Sequence, residues 1–177
     1  SMCAQGIGVQ KNEKEAARWY RFAAVQGCAE AQWMLHFMHA KGEGVEKSDK
    51  EAARWCKLAA EQGYGKAQTN LGGIYSRGKG VKQNDKEAFR WTRLAAEQGV
   101  AEAQVSLGQM YVHGKGVAKN DKEAVRWYRL AAEQGFAPAQ YRLSYMYSQG
   151  RGVEQNPIEY VRWGRRAAEQ GYPSAQY

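Results

Sequence analysis

The chain has 177 residues, of which 44% are hydrophobic and 25% are charged, and only three are prolines. This balance is typical of a globular protein and excludes a disordered or low-complexity chain. No apolar run approaches the roughly 18 to 20 residues that a membrane-spanning helix requires, so no such segment is predicted. The formal net charge of +8 favours acidic partners in general, and the placement of the charge decides where they would bind.

A segment that recurs at a fixed interval organises the chain. It reads NDKEAVRWYRLAAEQG at residues 120–135, and near-copies of it begin at Asn12, Ser48, Asn84 and Asn156, so that successive starts lie 36 residues apart. A period between roughly 20 and 50 residues is typical of a solenoid, in which each unit buries its apolar face only against its neighbours. We therefore predict a single repeat array over residues 1–177.

Each unit contains two predicted helices, a helix B that begins at the recurring segment and a helix A that follows it. Every helix B opens with a capping box, as at Asn84 and Glu87, in which each side chain accepts from the other residue's backbone N–H. The helix A of one unit is placed at about Gly65 to Arg77, before a glycine-containing loop. In chain order the units are 12–41, 48–77, 84–113 and 120–149, followed by a final helix B at 156–170 and a truncated stub at 173–177.

Small and large apolar residues occupy the helix positions that should face the core. One tryptophan occurs in each helix B, at Trp19, Trp55, Trp91, Trp127 and Trp163. A packed helix stack interlocks large residues with small ones, so we predict that these tryptophans are core residues. Gly72 flanks the apolar stripe of its helix A, where the missing side chain would let a neighbouring helix approach closely.

The motif within each unit resembles a known repeat family. Residues 67–99 read Ala-Gln-x-x-Leu-Gly-x-x-Tyr-x-x-Gly-x-Gly-Val and then Lys-Glu-Ala-x-x-Trp-x-x-x-Ala-Ala-x-x-Gly, which is similar to the Sel-one-like repeat family, a relative of the tetratricopeptide repeats. The resemblance covers essentially the whole chain. It implies an all-α, right-handed α-solenoid of antiparallel helix pairs, a tetratricopeptide-like superhelix that serves as a protein-interaction scaffold. In that arrangement the A helices line a concave groove and the B helices form the convex back.

Side chains that could carry catalysis are scarce. The only histidines are His36, His39 and His113, and the cysteines lack a histidine at a recognised spacing. The glycine loops follow helices rather than strands, which does not fit a phosphate cradle. We therefore predict no catalytic residues, no enzymatic activity and no cofactor. The cysteine-rich relatives associated with penicillin binding carry cysteines in every repeat, which this chain lacks, so their activity is not expected here.

Two histidines depart from the repeat pattern. His36 and His39 lie three residues apart on one helix, and Cys3 lies one repeat earlier in the position of His39, which would allow a metal site. A closed structural zinc site uses about four ligands, and only three candidates occur here. We interpret the pair as divergence of one repeat and predict no metal. Cys28 and Cys56 are predicted to be small buried residues.

The face of helix A opposite the core stripe should be open to solvent. Its residues vary between units, as expected of a groove that recognises an irregular partner. Two pairs of aromatic residues lie on this face, and exposed aromatic clusters usually mark binding surfaces. The alternative for these aromatics is additional packing between neighbouring A helices. The predicted partner-binding residues are Trp33, Phe37, Lys66, Thr69, Val105, Gln109, Tyr141 and Tyr145.

A row of basic residues on the B helices is the rival site. Its central members, the basic ridge, are Arg18, Arg54, Arg90, Arg126 and Arg162. Glutamates three or four residues away on the same helices should form ion pairs with the basic residues of this row. No exposed aromatic residue lies between the basic residues, so none is available for base stacking. We therefore interpret the ridge as a solvated face, and nucleic acid is not expected as a partner. Binding of acidic surfaces or polyanions through the ridge is the alternative function.

The predicted function is a non-catalytic scaffold or adaptor that binds a protein or peptide in the concave groove. The array begins and ends within a repeat, so we also expect apolar terminal surfaces and end-to-end self-association. Ser1 and Met2 resemble an expression remnant, so the native N-terminus is expected to be missing. The regular repeats suggest a bacterial protein, and the family resemblance allows either a cytoplasmic or a periplasmic or secreted location.

Overall fold

The computed structural model describes residues 12–172, which contain α-helices and no strands. In chain order these helices are α1 (Glu13–Val25), α2 (Ala29–Lys41), α3 (Asp49–Glu61), α4 (Gly65–Arg77), α5 (Asp85–Glu97), α6 (Ala101–His113), α7 (Asp121–Glu133), α8 (Ala137–Gln149) and α9 (Pro157–Glu169). None of them is long and apolar enough to span a bilayer. Cys3 and the predicted stub at 173–177 lie outside the described residues.

The helices alternate between the two predicted types, with B helices at odd numbers and A helices at even numbers. Each helix packs against the one before it and the one after it. The predicted all-α array of helix pairs with a repeat of about 36 residues is confirmed. Helix α4 has the predicted bounds, because a glycine with a left-handed φ of +68°, Gly78, caps its C-terminus and gives a backbone N–H to Ile74.

The tryptophan column lies in the core with one exception. Trp55, Trp91, Trp127 and Trp163 are 4% to 8% exposed. Trp91 packs with Leu71 and Ile74 of the preceding A helix, which shows how each B helix closes the unit before it. Trp19 is 68% exposed, so its prediction as a core residue is wrong in this structure. The reason is that α1 is the first helix of the described range and has no preceding A helix there.

The capping boxes are made in one direction only. The side chain of Asn84 accepts from the backbone N–H of Glu87 at 3.2 Å, as predicted, and the N-caps of the other B helices accept in the same way. The reciprocal bond is absent at Asn84, because its own N–H donates to the Tyr75 carbonyl of the preceding A helix at 3.0 Å. The Glu87 carboxylate instead accepts from the Trp91 indole at 3.1 Å. The predicted box therefore links two helices rather than closing on itself.

A ladder of buried glutamines joins successive repeats. The Gln104 amide donates to the Ala96 carbonyl at 3.2 Å, and its side-chain oxygen accepts from Gln134 of the next B helix at 2.8 Å. The same pair of bonds recurs at Gln32, Gln68 and Gln140. Each rung gives a second hydrogen bond to a carbonyl near the end of one B helix, which also accepts a backbone N–H, and holds the end of the following B helix against it. The spacing of the units is therefore set by hydrogen bonds as well as by apolar contact.

The loop between an A helix and the next B helix touches the preceding unit. Gly116 has a φ of +70°, and a Cβ at this position would overlap the backbone oxygen of Asp85 at the start of α5. Only a glycine combines that backbone conformation with this close approach. The predicted close approach of a neighbouring helix at Gly72 is confirmed, because a Cβ there would overlap the Thr92 hydroxyl of α5, the first helix of the next unit.

Candidate functional site

A cleft of about 700 Å³ runs along the A helices in the middle of the array. Helices α4 and α6 form its two sides, Trp33 of α2 borders it, and Ala88 and Thr92 of α5 lie at its base. Gly73 contributes to this space, because it lines the cleft at the α4 position that Phe37 and Tyr145 hold in other A helices. Its size falls within the range of roughly 300 to 1,000 Å³ that is usual for ligand sites.

The cleft brings together half of the predicted partner-binding residues. Trp33, Lys66, Thr69 and Gln109 line it. Phe37 lies beside the cleft, where its ring packs edge-on against Trp33 with 4.6 Å between centroids. These residues come from three successive A helices, which the repeat places side by side.

The remaining predicted residues are placed differently. Val105 is only 8% exposed and packs in a core cluster with Tyr128 and Leu143, so the expectation that it faces the open groove is wrong. The Val105 side chain is covered by its neighbours in that cluster. Tyr141 and Tyr145 belong to α8 and do not line the cleft; Tyr141 packs against Tyr172, whereas Tyr145 is 47% exposed.

The aromatic residues at the α2 side form a packed cluster. The Trp33 ring stacks on His36 at 5.2 Å and lies 5.9 Å from Tyr64, the N-cap residue of the next A helix. Trp33 and Phe37 are therefore half-buried rather than freely solvated. Trp33 packs between A helices, as the alternative interpretation predicts, and it also lines the cleft.

The charges around the cleft are unequal along its length. At the N-terminal ends of α4 and α6, Lys66 and Glu102 occupy equivalent positions and balance each other. At the C-terminal ends, Arg77 and Lys115 line the cleft together with His113, and no carboxylate lines that end. Within residues 12–172, neither Arg77 nor Lys115 makes a salt bridge. One end of the cleft is therefore positively charged.

Several residues that line the cleft were not predicted from the sequence. Asn70, Arg77, Ser106 and Lys115 line it but were not among the predicted contacts. Asn70 and Ser106 share a column with Met34 and Arg142, and this variation is a signal that could have revealed them. Lys115 lies in a loop, where helical periodicity offers no guide to the direction of a side chain.

The two histidines of α2 make hydrogen bonds to neighbouring groups. The His36 Nδ1 lies 2.9 Å from the Ala52 carbonyl, and its Nε2 lies 2.8 Å from the Asn70 amide nitrogen. The carbonyl needs a donor and the amide is one, so His36 is neutral with its proton on Nδ1. Burial lowers the pKa of His36, with a smaller effect from Lys79, and overrides the opposing hydrogen bond to Ala52. Both ring nitrogens are occupied, which leaves none for a metal.

His39 and Cys3 are the remaining candidates for metal ligands. His39 is buried, and its Nδ1 lies 3.1 Å from the Glu46 carbonyl. No cluster of three metal-ligating side chains occurs within the described range, and Cys3 lies outside it. Cys56 is fully buried, and burial raises its pKa to about 12. Cys28 is exposed, so its prediction as a buried residue is wrong.

The basic ridge is exposed but engaged in contacts within its own helices. Arg90 lies 3.5 Å from the Glu87 carboxylate and 5.2 Å from the Trp91 ring centroid. The same two contacts recur at Arg54, Arg126 and Arg162. Arg18 is also exposed. The ridge is thus partly neutralised in place, which counts against it as a site for polyanions.

Recurring caps, core columns and glutamine bonds define a helical repeat protein. The Sel1 repeat model matches residues 1–28, 29–64, 65–100, 101–136 and 137–172. The chain therefore belongs to the Sel1 repeat family, which confirms the resemblance seen in the sequence. No curated protein matches it.

Solved structures of bacterial proteins share the fold. A Sel1 repeat protein from Oxalobacter formigenes is 38% identical, with a TM-score of 0.87 over 96% of this chain and 68% of its own length. The c5321 protein, a protective antigen of uropathogenic Escherichia coli with an SLR fold, is 41% identical, with a TM-score of 0.93 over 97% of this chain. This chain spans 37% of the length of c5321. Helicobacter pylori cysteine-rich protein B is 25% identical, with a TM-score of 0.55 over 71% of this chain and 93% of its own.

Proposed function

We propose that this protein is a scaffold that binds a segment of a partner protein in the cleft between α4 and α6. Sel1 repeat proteins generally mediate protein–protein interactions and are typically non-catalytic. The observation that carries the finer proposal is the cleft itself, whose lining differs from unit to unit while the core columns stay nearly constant. A peptide-sized cleft with a half-buried tryptophan and open polar groups suits a groove-bound segment.

The polar lining supplies the means of orienting such a segment. Thr69 and Ser106 donate to backbone carbonyls of their own helices, Gly65 at 3.0 Å and Glu102 at 2.8 Å, so their oxygens can still accept bonds from a ligand. Gln109 lines the cleft with an amide that can both donate and accept. An extended peptide exposes backbone N–H and C=O groups that these side chains can pair with.

A displayed library of random peptides tests this proposal. We expect selection on the purified protein to enrich peptides whose binding is weakened by Thr69→Ala combined with Gln109→Ala. The matched control is Lys86→Gln combined with Lys122→Gln, which changes two exposed B-helix residues and should leave those peptides bound. No enrichment, or peptides that respond to the control pair instead, would contradict the proposal. Circular dichroism establishes beforehand that all variants are folded.

We also propose weak end-to-end self-association, as the sequence suggests. Large apolar side chains are exposed at both ends of the described array. They are Trp19, Phe22 and Val25 on α1, and Ile158, Tyr160 and Val161 on α9. Sedimentation velocity over a range of protein concentrations should show association that Val161→Lys reduces. A single monomeric species at every concentration would contradict it.

A further inference from the structure

We infer that the segment bound in the cleft is acidic, and that its carboxylates are recognised by Arg77 and Lys115. The inference rests on the proposed function and adds the chemical class of the ligand. Its basis is the uneven charge of the cleft, because the end formed by the last turns of α4 and α6 carries these two cations and no lining carboxylate.

Lys115 breaks a pairing that the equivalent residues make. In the unit before it, Lys79 lies 3.4 Å from Asp49, and in the unit after it, Arg151 lies 2.9 Å from Asp121. The equivalent acid for Lys115 is Asp85, yet the part of the chain described here contains no such salt bridge. Lys115 lines the cleft instead. A cation that forgoes the internal partner used by its counterparts is available to an external one.

Arg77 shows a similar difference from its equivalent. Lys41 ends α2 as Arg77 ends α4, and Lys41 lies 3.5 Å from Glu43. Arg77 makes no such pair in the described range, and its guanidinium lies over Gly73, where a Cβ would sit 3.0 Å from it. The absence of a side chain at Gly73 therefore leaves room for the guanidinium along the wall of the cleft. A planar guanidinium in this place can form two parallel hydrogen bonds to a carboxylate.

The helix dipole favours a cation at the C-terminus of α4, where Arg77 lies, and α2 and α6 also carry a basic residue in the last turn. Lys115 lies in the loop beyond the end of α6 and adds a second cation at this end of the cleft. The charge is also local, since Lys66 and Glu102 balance at the other end. Lys66 and Arg77 lie eleven residues apart on α4, about 16 Å along the helix axis, a length that about five residues of an extended peptide would span. The arrangement suits a short extended segment that places its acidic side chains at the Arg77 end.

The test measures fluorescence anisotropy of labelled hexaglutamate and hexaglutamine peptides with the purified protein. We expect hexaglutamate to bind more tightly, and Arg77→Gln with Lys115→Gln to weaken it about tenfold, the size expected for two partly exposed ion pairs. Lys86→Gln with Lys122→Gln removes the same net charge from the B helices and should have no comparable effect. Equal weakening by the two double variants, or equal affinity for the two peptides, would overturn the inference.

Three further outcomes bear on whether the ligand is an acidic peptide, a nucleic acid or a neutral peptide. A single-stranded oligothymidylate that binds more tightly than hexaglutamate through the same two residues would assign the cleft to nucleic acid and overturn the peptide assignment. Selected library peptides that depend on Thr69 and Gln109 but contain no acidic residues would overturn the acidic class while leaving the proposed function intact. Selected peptides whose binding depends neither on Thr69 and Gln109 nor on Arg77 and Lys115 would overturn both the proposed function and the acidic class of the ligand.

Discussion

Comparison of Gly116→Ala with Gly135→Ala should separate the two energetic costs of a side chain at a loop glycine, namely backbone strain and a steric clash. Gly116 has a φ of +70°, and its Cβ position overlaps the backbone oxygen of Asp85. Gly135 has a similar φ of +85°, but a Cβ there would meet no atom within 4 Å. Alanine therefore suffers backbone strain at both positions and a steric clash only at Gly116. The pair isolates the contact between one repeat and the unit before it.

The magnitudes follow from those two contributions. An alanine in the left-handed region costs about 1–2 kcal/mol, and the lower entropy of its unfolded chain returns about 0.4–1 kcal/mol. We expect Gly135→Ala to lower the free energy of unfolding by about 1 kcal/mol. Overpacking adds about 1–3 kcal/mol, so Gly116→Ala should cost about 2–4 kcal/mol. The clash is between the Cβ atom, whose position is fixed by the main chain, and the backbone oxygen of Asp85, so no rotamer change can relieve it.

Urea unfolding followed by circular dichroism at 222 nm, the helical band, would measure both variants. The midpoint reports stability, and a lower slope for Gly116→Ala would indicate that the array no longer unfolds as one cooperative unit. An equal loss in the two variants would refute the reasoning, because it would mean that the contact with Asp85 contributes nothing beyond the local φ.

Three other predictions concern buried groups. In a variant whose other two cysteines are replaced by serine, Cys56 should react with a thiol reagent only after unfolding, since burial raises its pKa to about 12; rapid labelling of the folded protein would contradict this. Because the pKa of His36 is lowered by folding, the unfolded chain binds a proton more readily, so the contribution of His36 to stability should be complete above about pH 6.5 and fall below it. Urea midpoints measured over this pH range should show a smaller fall in the His36→Gln variant. An unchanged pH dependence in that variant would contradict the prediction. Gln104→Leu should cost about 1–3 kcal/mol in urea unfolding, because it leaves the Ala96 carbonyl without its side-chain donor and breaks one rung of the ladder; a neutral effect would show that the ladder does not stabilise the array.

Local signals in the sequence predicted the helices well. The N-cap at Asn84 and the glycine at Gly78 act within a turn of the helix ends that they define, so their effect can be read from spacing alone. The repeat period adds a second, independent signal, since four copies of the helix pair and a fifth helix B follow the same spacing. Family resemblance then assigned the scaffold class.

The candidate site was predicted only in part. Thr69 and Val105 occupy the same position of successive A helices, yet Thr69 lines the cleft and Val105 is buried. Helical periodicity assigns both to one face, because it describes a helix in isolation. What covers that face is decided by the volumes of side chains on neighbouring helices, such as Tyr128 beside Val105.

The sequence by itself therefore determined the repeat, the helix bounds and most of the core columns of this protein, because those depend on groups close together in the chain. Only the tertiary structure decided that the Glu87 carboxylate faces Trp91, that Gln104 and Gln134 bridge two units, and that Lys115 faces the cleft. A polar side chain has several partners within its reach, and which of them it meets depends on how the neighbouring helices pack around it, as for Gln104 and Gln134, which lie 30 residues apart in the sequence.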